Sequence, residues 1–153
     1  MFLSITVGHT HQLPERIILP EAKQIHCLAE TIYHEARGEP VAGQRAVANV
    51  VINRALNEEF FPDTLCQVVH QPKQFSWVGR TKNPKENDPA FIKSKLLAVE
   101  VIMEHNLGLI ESPYSMYNAT FFSKEPIRLK YNKLHYLGMI GHHMFYELDP
   151  SRG

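Results

Sequence analysis

The stretch that decides the fold is Tyr33-His34-Glu35-Ala36-Arg37-Gly38-Glu39-Pro40. It places a carboxylate, Glu35, in the last turn of an apolar-striped helix, and two helix breakers, Gly38 and Pro40, follow at once. Glu35 is therefore predicted to lie beside a hydrophobic core while it faces a loop. Apolar surroundings disfavour the charged carboxylate and raise its pKa, which suits a general acid.

The helix that carries Glu35 is predicted over residues 21–37, with Pro20 favouring its start. Its apolar stripe, at three- and four-residue intervals, consists of Ile25, Leu28, Ala29, Ile32 and Ala36. On a helical projection Glu35 lies at the edge of this stripe, whereas Glu30 is predicted on the far side, in water. The alternative for Glu35 is an ordinary helix-terminal ion pair with Arg37 or Arg45, and position alone favours that alternative.

Three further helices and a small sheet complete the predicted fold. The helices cover residues 42–56, a short segment with Asp63 as N-cap, and a segment from Asp88 that ends at Gly108. The last helix is predicted to bury Ile92, Leu96, Val99, Ile102 and Met103. Aromatic and β-forming residues over 114–122 and 135–148 predict a pair of extended segments. The predicted class is α+β, mostly helical with a small C-terminal antiparallel sheet, in one domain with an arm over 1–20 and a core over 21–148.

The composition argues against several classes of protein. Lys and Arg total 16, as do Asp and Glu, so a whole-surface nucleic-acid binder is not indicated. Hydrophobic residues make up 44%, enough for one sizeable core. No apolar run reaches the length of a membrane span, and the N-terminus lacks the basic region and cleavage site of a signal peptide. We therefore expect synthesis in a cytosol and no stable membrane insertion.

The cysteines and histidines do not predict a metal site. Cys27 and Cys66 have neither metal nor redox spacing and stand beside leucines, so buried free thiols are predicted rather than a disulfide. A zinc helix built on His34-Glu35 needs a second histidine where the chain has Gly38. The adjacent His142 and His143 are predicted to point to opposite faces of a strand. No metal and no cofactor are expected.

Glu39 and four aromatic residues are the remaining candidates from the residues alone. Glu39 could be a second acid at a glycosidase-like separation, but the residues favour a role in bracing the start of the next helix through its backbone amides. Four aromatic residues in loop or edge segments could stack on sugar rings: Phe75, Trp77, Tyr114 and Tyr117. The alternative for each is that it seals the core.

Taken together, these residues resemble the spore-cortex-lytic type of cell wall hydrolases, the SleB/CwlJ group, which also occurs in bacteriophages and non-sporing bacteria. The blocks that carry the resemblance are Ile32-Tyr33-His34-Glu35-Ala36-Arg37-Gly38-Glu39-Pro40, Gly43-Gln44, Gln74-Phe75-Ser76-Trp77, Tyr117-Asn118-Ala119-Thr120 and Ile140-Gly141-His142-His143-Met144-Phe145-Tyr146. They come in the expected order. The chain departs from the family at Met116-Tyr117-Asn118, where the family often has His-Tyr-His, so only the central tyrosine transfers.

The resemblance implies a lysozyme-like fold and cleavage of the MurNAc-GlcNAc glycosidic bond in peptidoglycan. It implies a lytic transglycosylase in which Glu35 protonates the leaving oxygen and then acts as a base toward the 6-hydroxyl of the sugar. Glu39 is a candidate supporting acid. The candidate substrate-binding residues are Gln44, Phe75, Trp77, Tyr117 and Thr120.

The resemblance also sets expectations for partners and leaves two rivals open. The expected partner is the peptidoglycan glycan strand, bound by a monomer. The compact layout fits a phage endolysin that reaches the wall after holin-type release, and a bacterial stand-alone domain is the alternative. One rival is a hydrolytic muramidase that uses Glu35, Glu39 and water. The other is a catalytically inactive glycan-binding or virion module.

Overall fold

Four helices precede a three-stranded sheet in a computed structural model, which describes residues 14–109, 116, 118–127, 133–149 and 151. The elements are α1 (Ala22–Ala36), α2 (Val41–Leu56), α3 (Leu65–Val69), α4 (Pro89–Asn106), β1 (Phe121–Ser123), β2 (Leu134–Ile140) and β3 (His143–Leu148). This order confirms the predicted α+β class. Among the described residues, no helix is both long and apolar enough to cross a membrane.

The helix starts follow local capping chemistry. Asp88 caps α4 as predicted, with its side chain accepting a hydrogen bond from the amide of Ala90 at 2.8 Å. The predicted cap of α3 is wrong by one residue. Thr64, not Asp63, is the N-cap, because the Thr64 hydroxyl directly precedes the first helical turn and accepts from the amide of Gln67.

The main core lies among the four helices, with α1 packed against the other three. Its fully buried side chains include Leu28, Ile32, Ile52, Leu65 and Phe91. Each side chain of this size contributes roughly 1.5–3 kcal/mol when it leaves water. These contacts fix the C-terminal end of α1, where Glu35 lies, against a rigid support.

Two burial predictions for the helices are wrong. Glu30 is 7% exposed rather than in water, because α2, α3 and α4 surround α1 on more than its apolar stripe. In α4, Ile102 is the one residue of the predicted face that is buried. Ile92, Leu96, Val99 and Met103 are 42%, 62%, 38% and 43% exposed. The helix turns a different face inward, which carries Phe91, Leu97, Ala98 and Val101. Both faces of α4 are apolar, so periodicity could not select between them.

The prediction of free thiols is also wrong. Cys27 of α1 and Cys66 of α3 form a disulfide, with their Cα atoms 5.3 Å apart. The bond follows from the packing of α1 on α3, which brings together two residues that are far apart in sequence.

The sheet is antiparallel with the strand order β1-β3-β2. A turn at Gly141 and His142 divides the second predicted extended segment into β2 and β3, a division that the sequence pattern did not reveal. The first predicted segment is described as a strand only from Phe121, and residues 114, 115 and 117 lie outside the described residues.

The sheet joins the helices through a second hydrophobic cluster and two polar links. Ala36, Val47 and Val50 pack with Ala119 and Phe145 in this cluster. The side chains of two consecutive α2 residues then bond to the chain before β1. The Asn53 amide donates to the carbonyl of Ala119 at 2.8 Å, and Arg54 Nε donates to that of Thr120 at 2.7 Å.

Reduction of the Cys27–Cys66 bond is expected to lower the free energy of unfolding by about 3–4 kcal/mol, the chain-entropy value for a loop of this length. Thermal unfolding with and without dithiothreitol measures this as a fall in Tm of roughly 10 °C. A Cys27→Ala/Cys66→Ala double variant is the control, and its Tm should not respond to the reductant. An equal Tm for the oxidised and reduced wild type would contradict the role assigned to the bond.

Candidate active site

A cleft of about 860 Å³ opens where the end of α1 meets the sheet. One wall is the segment over residues 73–81, which we call the cleft loop, and the opposite wall comes from the β1 edge. The side chains that line it are His34, Glu35, Arg37, Arg54, Lys73, Gln74, Phe75, Ser76, Trp77, Val78, Arg80, Thr81, Phe122, Ser123, Lys124 and His143. Among the described residues that line the cleft, Glu35 is the one carboxylate.

Glu35 is partly buried at the end of α1. Its pKa is raised above the ordinary value, chiefly because burial withdraws water from the carboxylate. Two neighbours act in the opposite direction. The indole N–H of Trp77 stabilises the carboxylate as a nearby donor, although the pair does not reach the geometry of a full hydrogen bond, and the positive charge of Lys124 also lowers the pKa. The net effect of these three influences is a Glu35 pKa above the ordinary glutamate value.

Trp77 and Phe75 stand beside Glu35 in the cleft loop. The Trp77 ring stacks on His34, with centroids 4.5 Å apart and planes inclined by 20°. Phe75 is 6% exposed and belongs to the main core, so the core-sealing alternative holds for this residue. Trp77 packs against the same core but is only partly buried and lines the cleft, and its role in substrate binding stays a prediction.

Two other predicted groove residues that the structure describes, Gln44 and Thr120, do not line the cleft. The Gln44 side chain does not line the cleft and donates to the carbonyl of Glu39 at 2.9 Å. Thr120 is 6% exposed, and its hydroxyl accepts from the amide of Leu148 at 3.0 Å. Both contacts hold the fold together. Tyr117 lies outside the described residues.

The sequence favoured a role for Glu39 in bracing the start of α2, and this prediction is wrong. The N-cap of α2 is Pro40, without a side-chain cap. Glu39 Oε2 instead accepts from the backbone amide of His142 at 2.9 Å, and Oε1 lies 3.1 Å from His142 Nδ1. The backbone bond is the main reason that the Glu39 pKa is lowered. Its carboxylate is thus committed to the β2–β3 turn and does not line the cleft.

His143 is a cleft residue that the sequence did not single out. It begins β3 and is 1% exposed, with its ring edge-on to Phe122 at 5.2 Å. Neither ring nitrogen has a hydrogen-bond partner, and burial is the largest cause of its lowered pKa. The imidazole is therefore neutral near pH 7. His142 lies in the turn rather than on the strand, so the predicted opposite-face arrangement of the two histidines is wrong.

The sequence analysis also did not predict that positively charged residues line the cleft. Lys73 and Arg80 belong to the cleft loop, whereas the other three come from separate segments, and the five form no run along the chain: Arg37, Arg54, Lys73, Arg80 and Lys124. Only the folded chain shows them together. Among the described residues, no cluster of His, Cys, Asp or Glu side chains could hold a metal ion.

Comparison with known proteins finds similar sequences among spore cortex-lytic enzymes. Those of Oceanobacillus iheyensis and Bacillus subtilis are 50% and 46% identical to this chain over 55 residues, which is 36% of this chain. The matched stretch is 20% and 18% of the length of those proteins, so it spans about a fifth of these curated relatives.

Two solved structures share the fold. The catalytic domain of the Bacillus cereus SleB protein has a TM-score of 0.63 and 25% identity, covering 92% of this chain and 99% of that chain. The catalytic domain of the germination-specific lytic transglycosylase SleB from Bacillus anthracis has a TM-score of 0.61 and 26% identity, covering 83% and 96%.

The model of the cell wall hydrolase family matches residues 38–146 of the 153. That stretch runs from Gly38, at the end of α1, through the cleft loop to β3, so it takes in both walls of the cleft. By this match the chain belongs to the cell wall hydrolase family.

Proposed function

We propose that the protein cleaves the MurNAc-GlcNAc bond of peptidoglycan, with Glu35 as the general acid. The observation that carries this proposal is the partly buried carboxylate of Glu35, with its raised pKa, in a cleft lined by no other described carboxylate. A protonated carboxyl group can deliver its proton to the glycosidic oxygen as the bond to the leaving sugar breaks.

A single carboxylate favours a lytic transglycosylase over a two-carboxylate hydrolase. After Glu35 has protonated the leaving oxygen, it is a carboxylate and can take the proton of the sugar's own 6-hydroxyl. That oxygen then bonds to the anomeric carbon, which closes a 1,6-anhydro ring and returns Glu35 to its protonated state. A hydrolase with two acids needs a second carboxylate facing the same bond. Glu39, committed to His142, does not line the cleft.

Two further parts of the proposal rest on similarity and on the sequence. The similar proteins are a spore cortex-lytic enzyme and a germination-specific lytic transglycosylase, which supports the substrate class. That the enzyme is a phage endolysin, acting as a monomer after holin-type release, stays a prediction from the sequence.

The substitution Glu35→Gln is expected to abolish release of fragments from purified peptidoglycan, by a factor of at least about 10² in kcat, because the amide cannot donate the required proton. Mass spectrometry of the wild-type products tests the mechanism in the same experiment. Anhydro-muramic ends are expected, and reducing ends would favour the muramidase.

The control for Glu35→Gln is its stability. The pKa of Glu35 is higher in the folded state than in the unfolded chain, so ionisation of this residue is less favourable in the folded state. At a pH above the ordinary glutamate pKa, this difference lowers the free energy of unfolding of the wild type. The variant should therefore melt at or above the wild-type temperature at pH 7, and the two should converge near pH 4. Full activity in this folded variant would refute the assigned role, and wall binding by a wild type that cleaves nothing would favour the inactive module.

The substitution Trp77→Phe is expected to move the alkaline limb of the pH–kcat profile to higher pH. The indole N–H lowers the Glu35 pKa, so its removal leaves the effect of burial less opposed and Glu35 keeps its proton longer. Lys124→Met should move the limb in the same direction, because a positive charge that lowers the pKa is lost.

Lys85→Met, at an exposed position outside the cleft lining, is the control and should leave the limb in place. Movement to lower pH in both cleft variants would contradict the assignment.

The substitution Glu39→Gln is expected to preserve the chemistry and to lower the free energy of unfolding at pH 7 by about 1 kcal/mol, through a weakened hydrogen bond to His142. The pKa of Glu39 is lowered in the folded state, so its stabilisation is present above the ordinary glutamate pKa and is lost as the pH falls through the folded value. Melting curves of variant and wild type should therefore converge in acid. Loss of activity in folded Glu39→Gln protein at a permissive temperature would support the two-carboxylate muramidase instead.

A further inference from the structure

The cleft concentrates positive charge in a chain whose formal net charge is zero. Five of its lining residues are cationic: Arg37, Arg54, Lys73, Arg80 and Lys124. Glu35 is the one lining carboxylate among the described residues, and it carries no charge when it holds the proton that its proposed role requires. A low-dielectric cleft lined by one sign of charge attracts ligands of the other sign.

These cations are not used to hold the fold together by ion pairs. Outside the cleft, Arg16 pairs with Glu58, and Arg45 pairs with Glu100 at 2.9 Å and Glu104 at 2.6 Å. Within the cleft, no ion pair to a described carboxylate occupies the side chains of Arg37, Arg80, Lys73 or Lys124. The charges of Lys73, Arg80 and Lys124 are therefore available to a ligand. Arg37 instead lies over the Tyr33 ring, with its guanidinium carbon 4.5 Å from the ring centroid, and its charge contributes to lowering the pKa of Asp88.

Arg54 shows that the charge reaches the cleft interior. It is 5% exposed, and its partners are neutral: the carbonyl of Thr120 at 2.7 Å and Gln74 Oε1 at 3.0 Å. Burial lowers its pKa to about 10, so the guanidinium is still charged at neutral pH. A buried charge without a counter-charge is costly, and an anion in the adjacent cleft would supply what the protein does not.

The backbone of Lys73 is a further observation that indicates a ligand-binding site. Lys73 directly precedes Gln74, which accepts a hydrogen bond from Arg54. Lys73 has a φ of 65°, which makes it the one non-glycine residue with a left-handed backbone in the part of the chain that the structure describes. Such a conformation costs free energy in a residue with a side chain, and strained residues of this kind cluster at ligand-binding sites.

We propose that the cleft recognises the carboxylates of peptidoglycan, so that the enzyme selects glycan strands carrying negative charge over neutral glycans. This inference rests on the proposed function and names the chemistry that its substrate must carry. The sugar rings of the strand are neutral, and its carboxylates belong to the stem peptides and, where a peptide is absent, to the lactyl ether of muramic acid. Arg54 and Lys73 mark one end of the carboxylate-binding surface and Lys124 the β1 side.

The experiment compares purified peptidoglycan, stripped of other wall polymers, before and after its carboxyl groups are amidated with carbodiimide and methylamine. We expect amidation to lower kcat/KM about tenfold, since exposed charge contacts contribute modestly one by one and add up over several. We also expect kcat/KM on the untreated substrate to fall between 50 and 200 mM salt. Amidation should remove this salt dependence.

Variants in which cationic residues are replaced by methionine test whether the cleft residues bind the carboxylates. The double variant Lys73→Met/Arg80→Met is expected to raise KM about five- to tenfold on untreated substrate, with kcat within twofold, and to leave KM on amidated substrate unchanged. Lys85→Met/Lys93→Met removes two exposed cations that do not line the cleft, and it should match the wild type throughout. Co-sedimentation of Glu35→Gln protein with walls, with and without the Lys73 and Arg80 changes, measures binding independently of turnover.

A third substrate identifies the source of the carboxylate. Glycan strands freed of stem peptides by an amidase expose lactyl carboxylates. Retained salt dependence on these strands assigns recognition to the lactyl group, whereas its loss assigns recognition to the peptide, and both results support the proposal.

Cleavage and wall binding that ignore amidation, salt and the Lys73 and Arg80 changes would overturn the inference and leave the proposed function standing. Failure of the wild type to cleave any peptidoglycan would instead refute the proposed function. The co-sedimentation result would then still decide whether the cleft binds carboxylates.

Discussion

The burial of the Arg54 charge is the constraint on which the cleft depends. A guanidinium that leaves water must have its donors satisfied in a fixed planar geometry. Here the acceptors are the carbonyl of Thr120, just before β1, and the side chain of Gln74 in the cleft loop. Three aromatic rings also lie beside the guanidinium, the closest being Phe121, with its centroid 5.1 Å from the guanidinium carbon. The Arg54 side chain of α2 thus holds both walls of the cleft against the helices. If either wall moved, the guanidinium would lose a hydrogen-bond acceptor or become exposed to water.

A second link across the same boundary explains why the two acids of the opening motif have different roles. Glu39 accepts the amide of His142, at a turn where Gly141 has a φ of +57°. A Cβ on Gly141 would lie 2.0 Å from Glu39 Oε2, so the close approach requires glycine. Donated hydrogen bonds lower the pKa of Glu39, whereas burial raises that of Glu35. The same residue type, four positions apart, is a structural anion in one place and, on the proposed function, the proton donor in the other.

The sequence predicted what local chemistry determines. The bounds of α1 and α4 follow from apolar periodicity and from Asp88, and the position of Glu35 follows from the helix breakers after it. Features that depend on the packing of one helix or segment against another could not be predicted from the sequence. The buried face of α4 was missed because apolar residues occur on both its exposed and its buried sides, as Leu96, 62% exposed, and Leu97, 8% exposed, illustrate. The Cys27–Cys66 bond and the cationic lining needed the contact of distant segments, and neither leaves a spacing signal.

The cations of the cleft and the raised pKa of Glu35 act against each other in the free protein, because Lys124 lowers that pKa while burial raises it. On the proposed binding mode the conflict is resolved by the substrate. Carboxylates that enter the cleft offset the positive charge near Glu35, and the sugar rings displace water from its carboxyl group, so both changes favour the protonated acid. Linkage requires the reverse as well: an anionic glycan binds more tightly to the protein in which Glu35 is protonated. The charge that selects the substrate would then also ensure that the acid is protonated when the glycosidic bond is in place.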